Sequence, residues 1–443
     1  MIELLITIAF SFLTFIGLIV FSIRNATKNE KSACIIVLGD IGRSPRMNYH
    51  CLSLLKLGYS ITFIGYKESK LMDEIEQNKH VKILALQSYP KYLQFGPSIL
   101  QYVLKTIFLT LTLLFKLLEM RPLPKFILVQ NPPSIPTLGL VYFYCQLFKS
   151  KFVIDWHNYG YTILAIKSGY DNILVKICKK FEVYFGQRSD LNFCVTQAMR
   201  DDLNKYKIRA VVMHDKPHER FKELSSEEKN SFLDKLANKY GISVPKNLLE
   251  KLDKNLSLLV SSSSWTEDED FHILIDALKI YQTKMELESD KNLPNLLLLL
   301  TGKGPLKEYY QNKFAEQKFK NIQVEFVWLD PNDYPLLLGT CDLGLCFHKS
   351  SSNLDLPMKV VDMFGARLPT CALSFDCISE LVKENANGLL FKNADELCNN
   401  LCFLLSQNGT NSKLHAFRNN LKNYPDWNQE WKEKAENELK KLC

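Results

Sequence analysis

From residue 32 to residue 391 the chain repeats one pattern. A short apolar run leads into a loop of glycine, proline or small polar residues, then into a stretch with helical spacing of apolar side chains. Residues 295–301, NLLLLLT, show it most plainly, as a pure core strand that stops at Gly302-Lys303-Gly304-Pro305. Strands without a polar side are covered on both faces, the situation of parallel strands joined by helices. Residues 32–66 run strand, glycine turn, helix, strand, with the turn at Gly39-Asp40-Ile41-Gly42-Arg43-Ser44-Pro45-Arg46 and Gly58 closing the helix. That order opens a doubly wound sheet, whose ligands bind beyond the carboxyl ends of the strands. Further strands are expected at 81–86, 125–130, 151–155, 191–196 and 209–213, and in the second half at 256–261, 295–301, 323–328, 342–346, 368–373, 378–384 and 388–391. With 443 residues the chain has room for two cores. The expectation is an α/β protein of two Rossmann-like lobes facing a cleft, 24–217 and 218–410, the second beginning with a charged helical connector at 218–255. An amphipathic tail, 411–443, carries Trp427 and Trp431 one turn apart and is expected to pack back on the first lobe.

The strand–loop–helix at 341–365, CDLGLCFHKSSSNLDLPMKVVDMFG, carries the most chemistry. Pro357 at the first helical turn loses nothing, because that N–H would be unpaired in any case. Small polar residues precede it, and free amides with a positive dipole end follow, an arrangement suited to phosphate. Lys359 and Asp362 lie in the first turns of the helix. A carboxylate near phosphate would be repelled unless it hydrogen-bonds a neutral group of the same ligand, and a ribose diol is the obvious one. A nucleoside diphosphate site is therefore expected, with a solvated charged face as the plainer reading. Lys303, between glycines at a strand end, suits a diphosphate as a point charge; a surface lysine in a tight turn is its plainer reading. His157 directly follows strand 151–155 at the same sheet edge as Asp40, where it can contact a polar ligand, act as a base, or bond to backbone.

Residues 2–23 are an almost unbroken apolar run whose one charge is Glu3. At helical rise they reach roughly 33 Å, enough to cross a hydrocarbon core of about 30 Å. Arg24, Lys28 and Lys31 follow and nothing basic precedes, which sets the rest of the chain in the cytosol. No small-x-small cleavage site follows, which favours an uncleaved single-pass anchor over a signal peptide. Residues 97–120 are apolar nearly all round but include Lys105 and Lys116. A second spanning helix is one reading, but such charges cost about 2.5–3.5 kcal/mol each at the bilayer centre, so a helix lying on the membrane is preferred, with a buried domain helix as the further alternative. The net charge of +7 is spread along the chain, which fits anionic lipid or phosphorylated substrates, and no nucleic-acid partner is expected. The 12 cysteines match neither zinc nor CxxC spacing and read as reduced thiols.

Six stretches spread from Val37 to Gly365 carry a family resemblance: VLGDIGRSPRM, DWHNYGYTIL, CVTQAM, SSSSWTEDEDF, LLLTGKGP and DLPMKVVDMFG. They resemble the GT-B glycosyltransferases and, within them, the chitobiosyldiphosphodolichol beta-mannosyltransferase family. The resemblance implies an enzyme on the cytosolic face of the endoplasmic reticulum membrane, with room for a complex with other lipid-linked-oligosaccharide mannosyltransferases. It implies transfer of mannose from GDP-mannose to dolichol-diphosphate-linked chitobiose with inversion. Asp362 is then assigned to ribose, Lys303 and the amides over Pro357, Met358 and Lys359 to the diphosphate, Asp355 to mannose, and Ser263 to the donor's surroundings. Retaining relatives place an acidic residue three positions before the helix-opening proline; here that position is Leu354, and Asp355 stands one residue along. An inverting transfer needs one base. Asp40 is the first choice and His157 the second, with contact to the donor hexose as the other role for His157. Gly42, Arg43 and Arg46 are expected at the acceptor diphosphate. Asp268 and Asp270 come nearest to a metal-binding acidic pair but read as a helix N-terminus. No obligatory metal is expected, while stimulation by Mg2+ stays open. Two alternatives are a lipid-linked alpha-mannosyltransferase and a catalytically silent membrane scaffold.

Overall fold

The structure is a computed structural model that describes residues 31–90, 98–242, 256–287, 293–406 and 411–442 together with Gly17. The anchor expected at 2–23 lies outside the described residues. The chain divides into two compact units, Met1–Met213 with Trp431–Cys443, and His214–Glu430.

The first unit is built on seven parallel strands: β1 (Ser32–Asp40), β2 (Ser60–Tyr66), β3 (Val81–Ala85), β4 (Phe126–Asn131), β5 (Lys151–Trp156), β6 (Leu191–Cys194) and β7 (Val211–Val212). They lie in the order β3-β2-β1-β4-β5-β6-β7, so the winding reverses between β1 and β4. Crevices at such a reversal are where open α/β sheets take ligands, and the loop after β1 stands there. Ala33 to Val37 on β1 are buried on both faces, as the uninterrupted apolar run requires.

The second unit holds β8 (Leu256–Ser262), β9 (Asn295–Thr301), β10 (Ile322–Val327), β11 (Leu343–Cys346), β12 (Thr370–Leu373) and β13 (Gly388–Phe391) in the order β10-β9-β8-β11-β12-β13, again parallel. Strand β9 shows why the pattern specifies this sheet. Leu296, Leu298 and Leu300 pack into one core with Trp265 and Phe271. Leu297 and Leu299 pack into the other with Phe232 and Met363. Alternate side chains point to opposite faces, so five leucines in a row feed two cores. Each buried leucine contributes roughly 1.5–3 kcal/mol.

Two local expectations change. Residues 378–384 are not a strand: Ile378–Glu380 is a 3-10 turn. Ile378, Leu381 and Val382 are all buried at helical spacing, and the Asn387 side chain closes the loop by accepting from Lys383 N at 2.8 Å and donating to Leu381 O at 3.2 Å. Pro357 is the N-cap rather than the first helical residue, since its ψ of 115° is extended and the helix runs Met358–Gly365.

Candidate active site

In the second unit, the loops after β8 and β9 are pressed together backbone to backbone. A Cβ on Gly302 would lie 1.7 Å from Ser263 O, and one on Gly304 equally close to Ser264 O. Gly302 also has φ +130°, so the GKG run is a requirement of contact as well as of conformation. Beneath this junction Glu269 is buried, its carboxylate accepting from Ser263 Oγ at 2.6 Å and Ser264 N at 2.8 Å and pairing with Lys359 Nζ. Ser263, expected beside the donor, thus has its hydroxyl committed to Glu269, and it also accepts from Trp265 N at 2.8 Å. It shapes the loop instead. Lys359 links the same carboxylate to the helix that carries Asp362. Lys303 is exposed, with its ammonium 4.1 Å above the Trp328 ring centroid.

Just past β11, His348 lies between two carboxylates, Nδ1 at 3.2 Å from Asp268 Oδ2 and Nε2 at 3.8 Å from Asp355 Oδ2. Burial alone would lower its pKa, but Asp268 and Asp355 outweigh burial and lift it to about 9. His348 is a cation at neutral pH. Asp355 is further held by the hydroxyls of Ser350 and Ser352, the latter at 3.3 Å.

The helix Met358–Gly365 then begins. Pro357 has no N–H, which corrects its expected place among phosphate-binding amides; its carbonyl accepts from Val360 N at 3.0 Å. Met358 and Lys359 supply the first amides, which have no carbonyl a turn behind them. Asp362 is half-buried, and no hydrogen bond from another described residue reaches its carboxylate. Burial pushes it up to about 7, with the Arg220 charge pulling it down and Asp215 pushing it further up. A desolvated carboxyl awaiting a partner is what a ligand hydroxyl would satisfy.

In the first unit, Asp40 folds its own loop. Its Oδ1 accepts from the amides of Gly42, Ser69 and Glu68 at 3.2, 3.1 and 3.3 Å. Burial alone would raise its pKa, but hydrogen bonds from Ser69, Glu68 and Gly42 hold the carboxyl below its usual value, a poor setting for a base. Gly42 is required because a Cβ there would meet Ser69 O at 2.7 Å, and its amide is engaged by Asp40. Arg43 stays exposed, bonded to Ser69 Oγ at 3.1 Å. Arg46 departs from the diphosphate expectation. It is 3% exposed, donates from Nε and Nη2 to Asp155 at 2.8 and 2.9 Å, and donates from Nη1 to Met213 O at 2.9 Å. A guanidinium so buried is held by its carboxylate and is closed to a ligand.

Asp155 is the centre of this half. Besides Arg46 it meets His157 Nε2 at 3.0 Å and His50 Nε2 at 3.2 Å, all on Oδ2 except one Arg46 bond. Burial would lift its pKa, but Arg46 and His157 hold it well below the carboxylate range. Trp431 Nε1 donates to His50 Nδ1 at 3.0 Å, which assigns the remaining proton of neutral His50 to Nε2, facing Asp155. The same logic applies to His157. In a neutral ring, Nε2–H donated to Asp155 leaves Nδ1 as the acceptor. The backbone N–H of His157 donates to Asn131 O at 2.9 Å and fixes the residue at the strand end. Behind it, buried Glu182 accepts from Asn131 Nδ2 at 3.0 Å and Gly160 N at 2.8 Å, with burial raising its pKa to about 7 against those bonds.

Sequence reasoning missed Asp155, Glu269 and His348. His348 was within reach, because the position after a strand that singled out His157 describes it too. Asp155 and Glu269 gave no local signal. Among the described residues no group of three or more His, Cys, Asp or Glu is placed to hold a metal ion.

Residues 245–424 match the family model Glycosyl transferases group 1. A chitobiosyldiphosphodolichol beta-mannosyltransferase of Pongo abelii is 44% identical over 428 residues, 91% of each chain. Its namesake of Homo sapiens is 44% identical over 420 residues, covering 89% of this chain and 90% of that protein. Among solved structures, Anabaena Alr3699/HepE with UDP and glucose superposes with TM-score 0.60 at 17% identity, covering 88% of this chain and 94% of that one, a likeness of fold. The family model and the similarity over about nine-tenths of the chain agree, and this chain belongs to the chitobiosyldiphosphodolichol beta-mannosyltransferase family.

Proposed function

We propose that the protein is an inverting mannosyltransferase that moves mannose from GDP-mannose to chitobiosyl-diphosphodolichol, forming the beta-1,4-linked first mannose on the cytosolic face of the endoplasmic reticulum membrane. Family membership over nine-tenths of the chain carries this reading. The second unit takes the donor. Asp362 accepts from the ribose hydroxyls, the first amides of the helix Met358–Gly365 and Lys303 take the diphosphate, and Asp355 holds a mannose hydroxyl. His348, as a cation, offsets charge that grows on the departing GDP.

The first unit takes the acceptor, with Arg43 at its diphosphate. Between the two candidate bases, hydrogen bonding favours His157. Asp40 is engaged by three amides, whereas Asp155 orients His157 with Nδ1 free to accept the proton of the attacking hydroxyl. The balance is simple: that oxygen bonds to the anomeric carbon, its proton passes to His157, and GDP leaves with the electrons of the cleaved bond. Divalent cation is not obligatory in this scheme, so transfer continues in chelator. Product analysis tests the reading. Purified full-length protein with GDP-mannose and a chitobiosyl-diphospho-lipid should yield a product that beta-mannosidase cleaves. An alpha-linked product, or no transfer, would overturn the named function.

A further inference from the structure

Among the described residues of the first unit, every exposed large apolar side chain lies on four helices or on the turn joining two of them. The helices are Ser98–Glu119, Thr137–Phe148, Gly160–Ser168 and Ile173–Gly186. The helix at 98–119 contacts the one at 137–148, which contacts 173–186, which contacts 160–168. One continuous helical layer therefore carries all of this exposed apolar surface. On the first helix the exposed positions Leu100, Val103, Ile107, Leu111 and Phe115 form a stripe at steps of three and four, while Leu113 and Leu117 are buried on its other side. On the last two, Ile166 and Ile173 are 64% and 66% exposed.

We propose that the helices at 160–168 and 173–186 extend the face of the helix at 98–119 into one platform that seats this unit on an anionic phospholipid bilayer. The inference does not depend on which sugar is transferred. Charge complementarity identifies the occupant. Lys105, Lys167, Lys176, Lys179 and Lys180 lie on the same helices. Against them stand Asp171, which is paired with Lys176 at 3.5 Å, Glu119, which is paired with Lys116 at 2.9 Å, and Glu182, which is buried. Lys176, Lys179 and Lys180 line a groove of about 500 Å³ together with Val183, Tyr184 and Tyr206, an apolar slot edged by ammonium groups. Lysine is depleted from protein interfaces, whereas interfacial helices use its apolar stem and charged tip together to meet acyl chain and phosphate. The inner face of the same helix carries Glu182, which holds Gly160 and Asn131 beside His157. Lipid contact on one side of this helix thus fixes the depth at which the loop after β5 stands.

Full-length protein in vesicles of phosphatidylcholine and phosphatidylserine, doped with a photoactivatable phospholipid, tests this by mapping lipid adducts onto peptides. Adducts are expected on residues 160–186 as well as 98–119. The double variant Ile166→Glu, Ile173→Glu should lose those on 160–186 by about tenfold. It should also slow transfer to a long-chain lipid acceptor while leaving transfer to a short-chain, detergent-soluble acceptor intact. Adducts on 98–119 with none on 160–186 would overturn the proposal. So would cross-links from 160–186 to a second copy, or to residues 1–30, in place of lipid.

Discussion

Each of the two sheets places a histidine just beyond a strand, and the two sites are electrostatic opposites. In the first unit one buried carboxylate, Asp155, serves an arginine and two imidazoles. In the second, one imidazole, His348, serves two carboxylates. Fully buried His50 is pushed toward the neutral form by burial, with Asp155 opposing, whereas His348 is lifted to about 9. The lesson is that the fold supplies the position, while burial and the balance of anions and cations around a ring decide how firmly it holds a proton.

Removing one carboxylate from each site should show the asymmetry at its largest. Asp155→Asn leaves Arg46 buried without an anion and is expected to cost ~3–5 kcal/mol in denaturant unfolding. Asp268→Asn removes a half-exposed partner while Asp355 still faces His348, and should cost less, ~1–2 kcal/mol. Next in size is the pH dependence of stability. The folded pKa of His348 lies above its unfolded value of about 6.5. Its contribution is therefore complete below pH 6.5 and is lost as pH rises through about 9. The wild-type melting temperature should fall across that window by the equivalent of ~3 kcal/mol at most, and His348→Gln should flatten the fall.

Donor binding sharpens the comparison further. In the proposed scheme Asp362, raised to about 7, accepts from the ribose hydroxyls more strongly when ionised, so KM for GDP-mannose should drop between pH 6 and 8. Asp362→Asn should abolish that dependence and raise KM by about tenfold, read from steady-state kinetics. The smallest effect is expected at Asp40. Asn at that position keeps an acceptor for the loop amides, so Asp40→Asn should lower kcat less than tenfold, where loss of a general base would lower it by ~10²–10⁴.

The fold was legible because period and punctuation agreed. Residues 295–301 could only be a strand covered on both faces, and Gly58 marked the turn out of the first helix. The failure at 378–384 has the same root, because three buried apolar residues read as a strand when they were spaced for a helical turn. Within the candidate site, some local geometry was legible: the glycine turns at Gly42 and Gly302 stand where a Cβ would strike backbone, and Asp362 lies on the helix that the strand–loop–helix pattern marked. Arg46 was misassigned because its partner Asp155 is 109 residues away and comes alongside only through the β1-β4-β5 order. Glu269 was hidden for a related reason, since an acidic run beside a helix looks like N-terminal decoration until Lys359 arrives from 90 residues on.

The most direct test is to measure kcat and GDP-mannose KM for His157→Ala and His348→Gln, with GDP affinity by calorimetry. The account predicts that His157→Ala lowers kcat by ~10³ with GDP affinity retained, and that His348→Gln chiefly weakens GDP binding. The reverse pattern, with GDP binding lost at His157 and untouched at His348, would contradict it.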